Sequence, residues 1–160
     1  MQQTLLVPLD LNQASTFKSI FAAVERIADS KPAHVILLTV IPEITAGVLP
    51  FVGLDELNDI GSLAYDQLEH VARKWLGEAV TPEIEVRIGP IARTIVQRAD
   101  HFNADMIIMA SHNPVHWDVL LGSTAAQVVR HSDRSVLVVR QHTATEPDAV
   151  DPVSRDALCL

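Results

Sequence analysis

Apolar residues in this chain gather in five short runs, separated by longer stretches with a helical period. The runs are Thr4–Leu9 (TLLVPL), His34–Ile41 (HVILLTVI), Glu83–Ile88 (EIEVRI), Asp105–Ala110 (DMIIMA) and Ser135–Arg140 (SVLVVR). Four of them are rich in Val, Ile and Leu and bounded by turn or polar residues, the pattern of strands buried on both faces. The third alternates, with Ile84, Val86 and Ile88 against Glu85 and Arg87, which predicts an edge strand with one wet face. Between the runs, Ser15–Ser30 places Phe17, Ile20, Phe21, Val24 and Ile27 at helical spacing. Leu54–Ala79 does the same with Leu57, Ile60, Ala64, Leu68, Val71 and Trp75, and Trp75 reads as a residue packing helix onto sheet. Pro90–Phe102 carries Ile91, Ile95, Val96 and Ala99, with Pro90 in the first turn, where a missing N–H costs nothing. Ser123–His131 carries Ala125, Ala126, Val128 and Val129. Strict β-α alternation predicts an α/β three-layer sandwich, a five-stranded parallel sheet with right-handed crossovers and helices on both faces, for which the usual strand order is 3-2-1-4-5.

Two segments interrupt the rhythm. Pro42–Gly53 (PEITAGVLPFVG) is a long apolar loop after the second strand, either a lid packed over the sheet edge or a wall over a ligand. Residues 141–160 lack periodicity and read as a flexible tail behind a single domain spanning 1–140.

Composition narrows the function classes. The chain of 160 residues is 48% apolar and 4% aromatic, so its core must be aliphatic. A formal net charge of −8 without a basic patch argues against nucleic acid and against anionic membrane surfaces. No apolar run approaches the ~18 residues of a membrane span. Cys159 is the sole cysteine, which fits a reducing compartment, and the opening Met-Gln-Gln-Thr-Leu-Leu lacks the charged and apolar regions of a secretory signal. The expected location is cytoplasmic.

In an open parallel sheet, ligands collect beyond the carboxyl ends of the strands where strand order reverses, here between the first and fourth. Pro8, Leu9 and Asp10 are delivered there by the first strand, and the stretch from Met109 to Asn113 by the fourth. The fourth helix opens nearby with Leu120-Leu121-Gly122-Ser123-Thr124-Ala125-Ala126. Gly122 would let the backbone approach a ligand closely, and Ser123 and Thr124 offer hydroxyls and N–H groups at a helix N-terminus suited to an anion. The plainer alternative makes Ser123 an N-cap after a turn glycine. Spacing alone leaves these two equal.

The run Ala104-Asp105-Met106-Ile107-Ile108-Met109-Ala110-Ser111-His112, continuing through Gly122-Ser123-Thr124-Ala125-Ala126-Gln127-Val128-Val129 to Ser135-Val136-Leu137-Val138-Val139-Arg140, resembles the C-terminal half of universal stress proteins. Leu5-Leu6-Val7-Pro8-Leu9-Asp10 resembles their first strand, and Gly89-Pro90-Ile91 their entry to helix three. The resemblance covers residues 2–140 and implies a Rossmann-like fold of the adenine-nucleotide alpha-hydrolase type. It also implies a site for ATP, or for AMP or ADP, with Mg²⁺ accompanying the phosphates. Nucleotide-binding members carry Gly-x₂-Gly-x₉-Gly-Ser/Thr; here Ala110 and Asn113 replace the first two glycines, and eight residues separate Asn113 from Gly122. The Ser-His-Asn-Pro form resembles a subgroup of small bacterial members. Asn is the non-Gly residue best suited to a left-handed turn, so Asn113 can keep the bend.

Carried over residue by residue, the resemblance places Pro8, Leu9 and Asp10 beside the adenosine and the backbone of Val40 against the adenine. It lines the floor with Met109 and Ala110, and holds the phosphates with His112, Asn113, Gly122, Ser123 and Thr124. Each assignment has a plain structural alternative: Asp10 as a cap, Met109 and Val40 as core, His112 and His116 as loop hydrogen-bonders and Trp117 as a loop anchor. Two histidines without a third ligand make no zinc site. Family members of this size pair as homodimers through strand five, Ser135–Arg140, and the alternative there is an edge covered by the tail.

Three readings compete: a nucleotide-sensing regulatory module, a slow ATPase or self-phosphorylating protein, and a nucleotide-free dimerisation module. No Walker lysine, arginine finger or evident base supports rapid turnover. The adenylating enzymes of similar architecture are excluded, because Asp10-Leu11-Asn12-Gln13-Ala14-Ser15 follows strand one without a glycine.

Overall fold

A computed structural model describes residues 2–29, 32–42, 54–76, 80–111 and 122–140. Five parallel strands form one sheet: β1 (Gln3–Pro8), β2 (Ala33–Ile41), β3 (Glu83–Ile88), β4 (Met106–Ala110) and β5 (Ser135–Val139). Their order is β3-β2-β1-β4-β5, the usual one expected for such a sheet. Leu5 of β1 lies opposite Val35 of β2 on one side and Met106 of β4 on the other. The order therefore reverses between β1 and β4.

Helices α1 (Phe17–Ala28), α2 (Leu54–Trp75), α3 (Ile91–His101) and α4 (Ser123–His131) cover the two faces. Side chains alternate across a strand, so each interior strand feeds two cores. Leu5, Val7, Val35, Leu37 and Ile108 face Phe17, Ile20, Phe21 and Val24 of α1 and Leu68 and Ala72 of α2. Leu6, Ile36, Leu38, Ile107 and Met109 face Ile95 and Ala99 of α3 and Ala125 and Val128 of α4. Burial on both faces is why β1, β2 and β4 are continuous apolar runs rather than alternating ones. Burying one such Leu or Ile side chain fully is worth about 1.5–3 kcal/mol.

Several expectations are revised. The ring of Trp75 packs on the core that includes β1, β2 and β4, and it also stacks on Phe21 of α1, with centroids 6.0 Å apart and planes 6° from parallel, so it joins helix to helix as well. Ile60 on α2 is 37% exposed, whereas Ala64 and Leu68 of the expected stripe are buried and Ala72, with Leu76 just past the helix, continues it. Strand β3 is an edge, and its polar side is wet at Glu83 and Arg87 but dry at Glu85. Glu85 is only 9% exposed, whereas Ile88 is 48% exposed. The cause is Arg98 of α3, whose guanidinium covers the carboxylate with Nε–Oε2 at 2.8 Å and Nη2–Oε1 at 2.7 Å. Arg87 closes on the same carboxylate. A desolvated carboxylate is tolerated only when paired in this way.

Helix starts also shift by a residue or two. A 3-10 turn, Ala14–Thr16, precedes α1, and Pro90 is the N-cap of α3 rather than part of its first turn. Just before it, Gly89 has φ of 155°, a backbone conformation that L side chains rarely adopt, and donates its N–H to the Ile41 carbonyl at 3.0 Å. Of the long apolar loop, Pro42 alone is among the described residues; residues 43–53 and the tail from 141 lie outside them.

Candidate functional site

Because β1 and β4 send their following chain to opposite faces, a crevice opens at their carboxyl ends. The structure places there a cleft of about 550 Å³, within the ~300–1,000 Å³ typical of small-molecule sites. Pro8, Leu9, Asp10, Val40, Met109, Ala110, Gly122, Ser123 and Thr124 all line it. Those nine come from the ends of three strands, the turn after β1 and the start of α4. His112 and Asn113 lie outside the described residues, as do His116, Trp117 and Asp118.

Asp10 is exposed and organises the turn after β1. Its Oδ1 accepts the Asn12 N–H at 3.0 Å, and its carbonyl accepts the Gln13 N–H at 2.9 Å. This is the Asx-type turn that Asp forms readily, so the capping alternative holds for one carboxylate oxygen while the residue still stands on the cleft wall. The neighbouring strand is tied on by the Thr39 hydroxyl, which donates to the Leu9 carbonyl at 3.0 Å, and by the Leu9 N–H, which donates to the Leu38 carbonyl at 2.8 Å.

At the other side of the cleft, Gly122 rather than Ser123 is the N-cap of α4. Among the described residues no side chain caps this helix, and Ser123 is its first helical residue. Gly122 has φ of −55° and ψ of 149°, a conformation open to any residue. Glycine is therefore not demanded there by the backbone. What it contributes is a cleft wall without a Cβ. Its N–H donates to the Ser111 hydroxyl at 3.3 Å, linking the helix start to the end of β4. An uncapped first turn presents N–H groups and the positive end of the helix dipole, a setting for an anion.

The floor between these sides is apolar, with Leu38, Ile95 and Met109 from the α3–α4 core and Ile20 from the α1–α2 core. Among the described lining residues, Asp10 is the sole carboxylate and no Lys, Arg or His appears. An anion at α4 would thus be met by N–H groups, the Ser123 and Thr124 hydroxyls and any accompanying cation. Five polar wall residues were not among the expected site residues: Asn12, Gln13, Thr16, Thr39 and Gln67. Gln13 and Thr16 follow Asp10 by three and six residues, and that short polar stretch at the end of a strand was the available signal.

These features define an open, doubly wound α/β domain whose cleft combines an apolar floor with a free helix N-terminus. The chain belongs to the universal stress protein family, which matches over residues 1–140. Universal stress protein G of Shigella flexneri is 40% identical over 55 residues, 34% of this chain and 39% of that relative's length. A solved structure of a hypothetical protein, a structural-genomics test case of assigning biochemical function from structure, aligns with a TM-score of 0.72 at 27% identity. That alignment covers 88% of this chain and 97% of the other. A universal stress protein solved in complex with cAMP shares the fold, with a TM-score of 0.54 and 23% identity over 87% of this chain and 97% of its own. No helix among the described residues is long and apolar enough to cross a membrane.

Proposed function

We propose that this chain is a regulatory module that binds an adenine nucleotide, ATP or its mono- or diphosphate, in the cleft above β1 and β4, and acts as a homodimer. One observation carries the reading: nine residues from separate strand ends and a helix start line a single nucleotide-sized cleft, with an uncapped helix N-terminus at one side. The apolar floor suits a purine, Asp10 suits a ribose hydroxyl, and the first turn of α4 suits phosphate. Mg²⁺ would be held mainly by the phosphates, with Asp10 the one described carboxylate within the cleft. A protein of the same fold binds cAMP, an adenine nucleotide, which supports the same ligand class here. Binding rather than turnover fits the wall, since phosphoryl transfer calls for placed positive charge and a group that orients the nucleophile, and the described wall offers neither.

The homodimer would form along β5. Leu137 is 36% exposed on this edge strand, and Val129 on the adjoining α4 is 45% exposed. An apolar edge strand of this kind needs covering.

Replacing Gly122 tests the nucleotide site. Gly122→Val adds a branched side chain to the cleft wall at a backbone conformation valine adopts freely, so the fold should persist. Calorimetric titration with Mg-ATP should show at least ~30-fold weaker binding, about 2 kcal/mol by the tenfold-per-1.4 relation. Wild-type affinity in the variant would refute the assignment of phosphate to α4.

A further inference from the structure

Strand β3 has β2 on one side and, among the described residues, no strand on the other. The Gly89 N–H donates to the Ile41 carbonyl across that pairing, consistent with the alignment of Ile41 and Ile88. Successive residues of a strand turn their N–H and C=O groups to opposite sides, so Arg87 and Glu85, in step with Gly89, bond toward β2. Ile84, Val86 and Ile88 then send theirs to the open edge. Such a row of free donors and acceptors is a template for another extended chain.

Side chains divide in the same alternating way between the two faces. Ile84 packs on the α1–α2 core, and Ile88, on that same face, is 48% exposed. Glu85 and Arg87 lie on the α3 face. Arg98 already engages both oxygens of Glu85, at 2.8 and 2.7 Å, so Arg87 is a second cation on a satisfied carboxylate. Two guanidiniums over one carboxylate leave one positive charge in excess, and the Arg87 side chain is 49% exposed. At the start of the strand Glu83 pairs with His34 at 3.3 Å, so the positive excess lies toward the Arg87 end. None of the residues of β3 lines the cleft.

We propose that the β3 edge docks an extended acidic segment of a partner protein, in which Asp or Glu alternates with aliphatic residues. Added beside β3, such a segment sets one row of side chains next to the exposed Ile88 and the other next to Arg87, so its alternation matches the two faces. Charge complementarity selects acid for the second row, although this chain's own formal net charge is −8. The acidic residues near this chain's own end, Glu146, Asp148, Asp151 and Asp156, do not keep that alternation. Pro147 and Pro152 among them also lack the N–H that a ladder uses.

Fluorescence anisotropy of the full chain tests this, with a fluorescein-labelled synthetic peptide of alternating Val and Asp and its Val-Lys counterpart. The Asp peptide should bind at least ~10-fold more tightly than the Lys peptide, and less tightly as salt is raised. Arg87→Gln, in which Arg98 still holds Glu85, should weaken it roughly fivefold, the measure of one partly exposed ion pair. Amide exchange read residue by residue should show Ile84, Val86 and Ile88 gaining protection on binding, with Glu85 and Arg87 already protected in the free chain. Equal affinity for the two peptides, no binding of either, wild-type affinity in Arg87→Gln, or protection gained elsewhere would overturn the proposal. So would protection of the three outward amides before peptide is added, which would give the edge to a second copy or to residues 141–160.

Discussion

Removing the Glu85 carboxylate isolates the one largely buried ion cluster among the described residues. Glu85→Ala would strip both carboxylate contacts from Arg98, whose side chain is 16% exposed and whose guanidinium lies 4.8 Å from the Phe102 ring centroid. Breaking a fully buried pair from one side costs ~3–5 kcal/mol, and an exposed pair is worth ~0–1 kcal/mol. The Arg87 contact belongs to the second class, since that side chain is 49% exposed. The bidentate Arg98 contact stands nearer the first, but remaining solvent access to the guanidinium reduces it. The expected loss is therefore about 2–3 kcal/mol, or roughly 6–10 °C in melting temperature for a domain of this size. Urea denaturation of Glu85→Ala, Arg98→Ala and the double variant should give a coupling of about 1.5 kcal/mol or more. Little dependence on salt is expected, because buried pairs are weakly screened. A single-variant loss under ~0.5 kcal/mol, the size of an ordinary surface substitution, would refute the claim that α3 desolvates this carboxylate.

Three other outcomes follow from the geometry. Gly89→Ala should destabilise by about 2 kcal/mol in denaturant titration, since strained backbone costs ~1–3 kcal/mol and the added Cβ would lie 2.9 Å from Thr94 Oγ1 at φ of +155°. Gly61→Ala should instead stabilise by ~0.5–1 kcal/mol by the same assay, because a Cβ there meets nothing within 4 Å and glycine is a poor helix residue. Leu137→Lys should convert dimer to monomer in light scattering without lowering helix content, and an unchanged mass would remove β5 as the dimer edge.

The strands were legible because physics leaves little freedom to a sheet covered on both sides. Leu5, Leu6 and Val7 face alternate cores, and none can be polar. The parallel sheet followed from the alternation of elements and the handedness of crossovers, and its order is the usual one for such a sheet. What escaped sequence reading depends on partners distant along the chain. Glu85 looked solvated because Arg98, which buries it, lies on the next helix. The stacking of Trp75 was not visible because Phe21, its partner, belongs to α1. At the cleft, the residues at strand ends and at Gly122-Ser123-Thr124 were visible as types in place. Gln13 and Thr16 were not, because their place on the cleft wall depends on how the turn after β1 folds back beside the sheet.

The central claim is that the cleft between β1 and β4 holds an adenine nucleotide. Acid extraction of the purified chain, with the released material separated by ion-exchange chromatography and quantified against protein, tests it most directly, alongside melting with and without Mg-ATP. Recovery of AMP, ADP or ATP in proportion to protein, or a melting temperature raised by Mg-ATP, is the predicted result. An extract empty of adenine nucleotide, from a protein whose melting temperature Mg-ATP leaves unchanged, would contradict it.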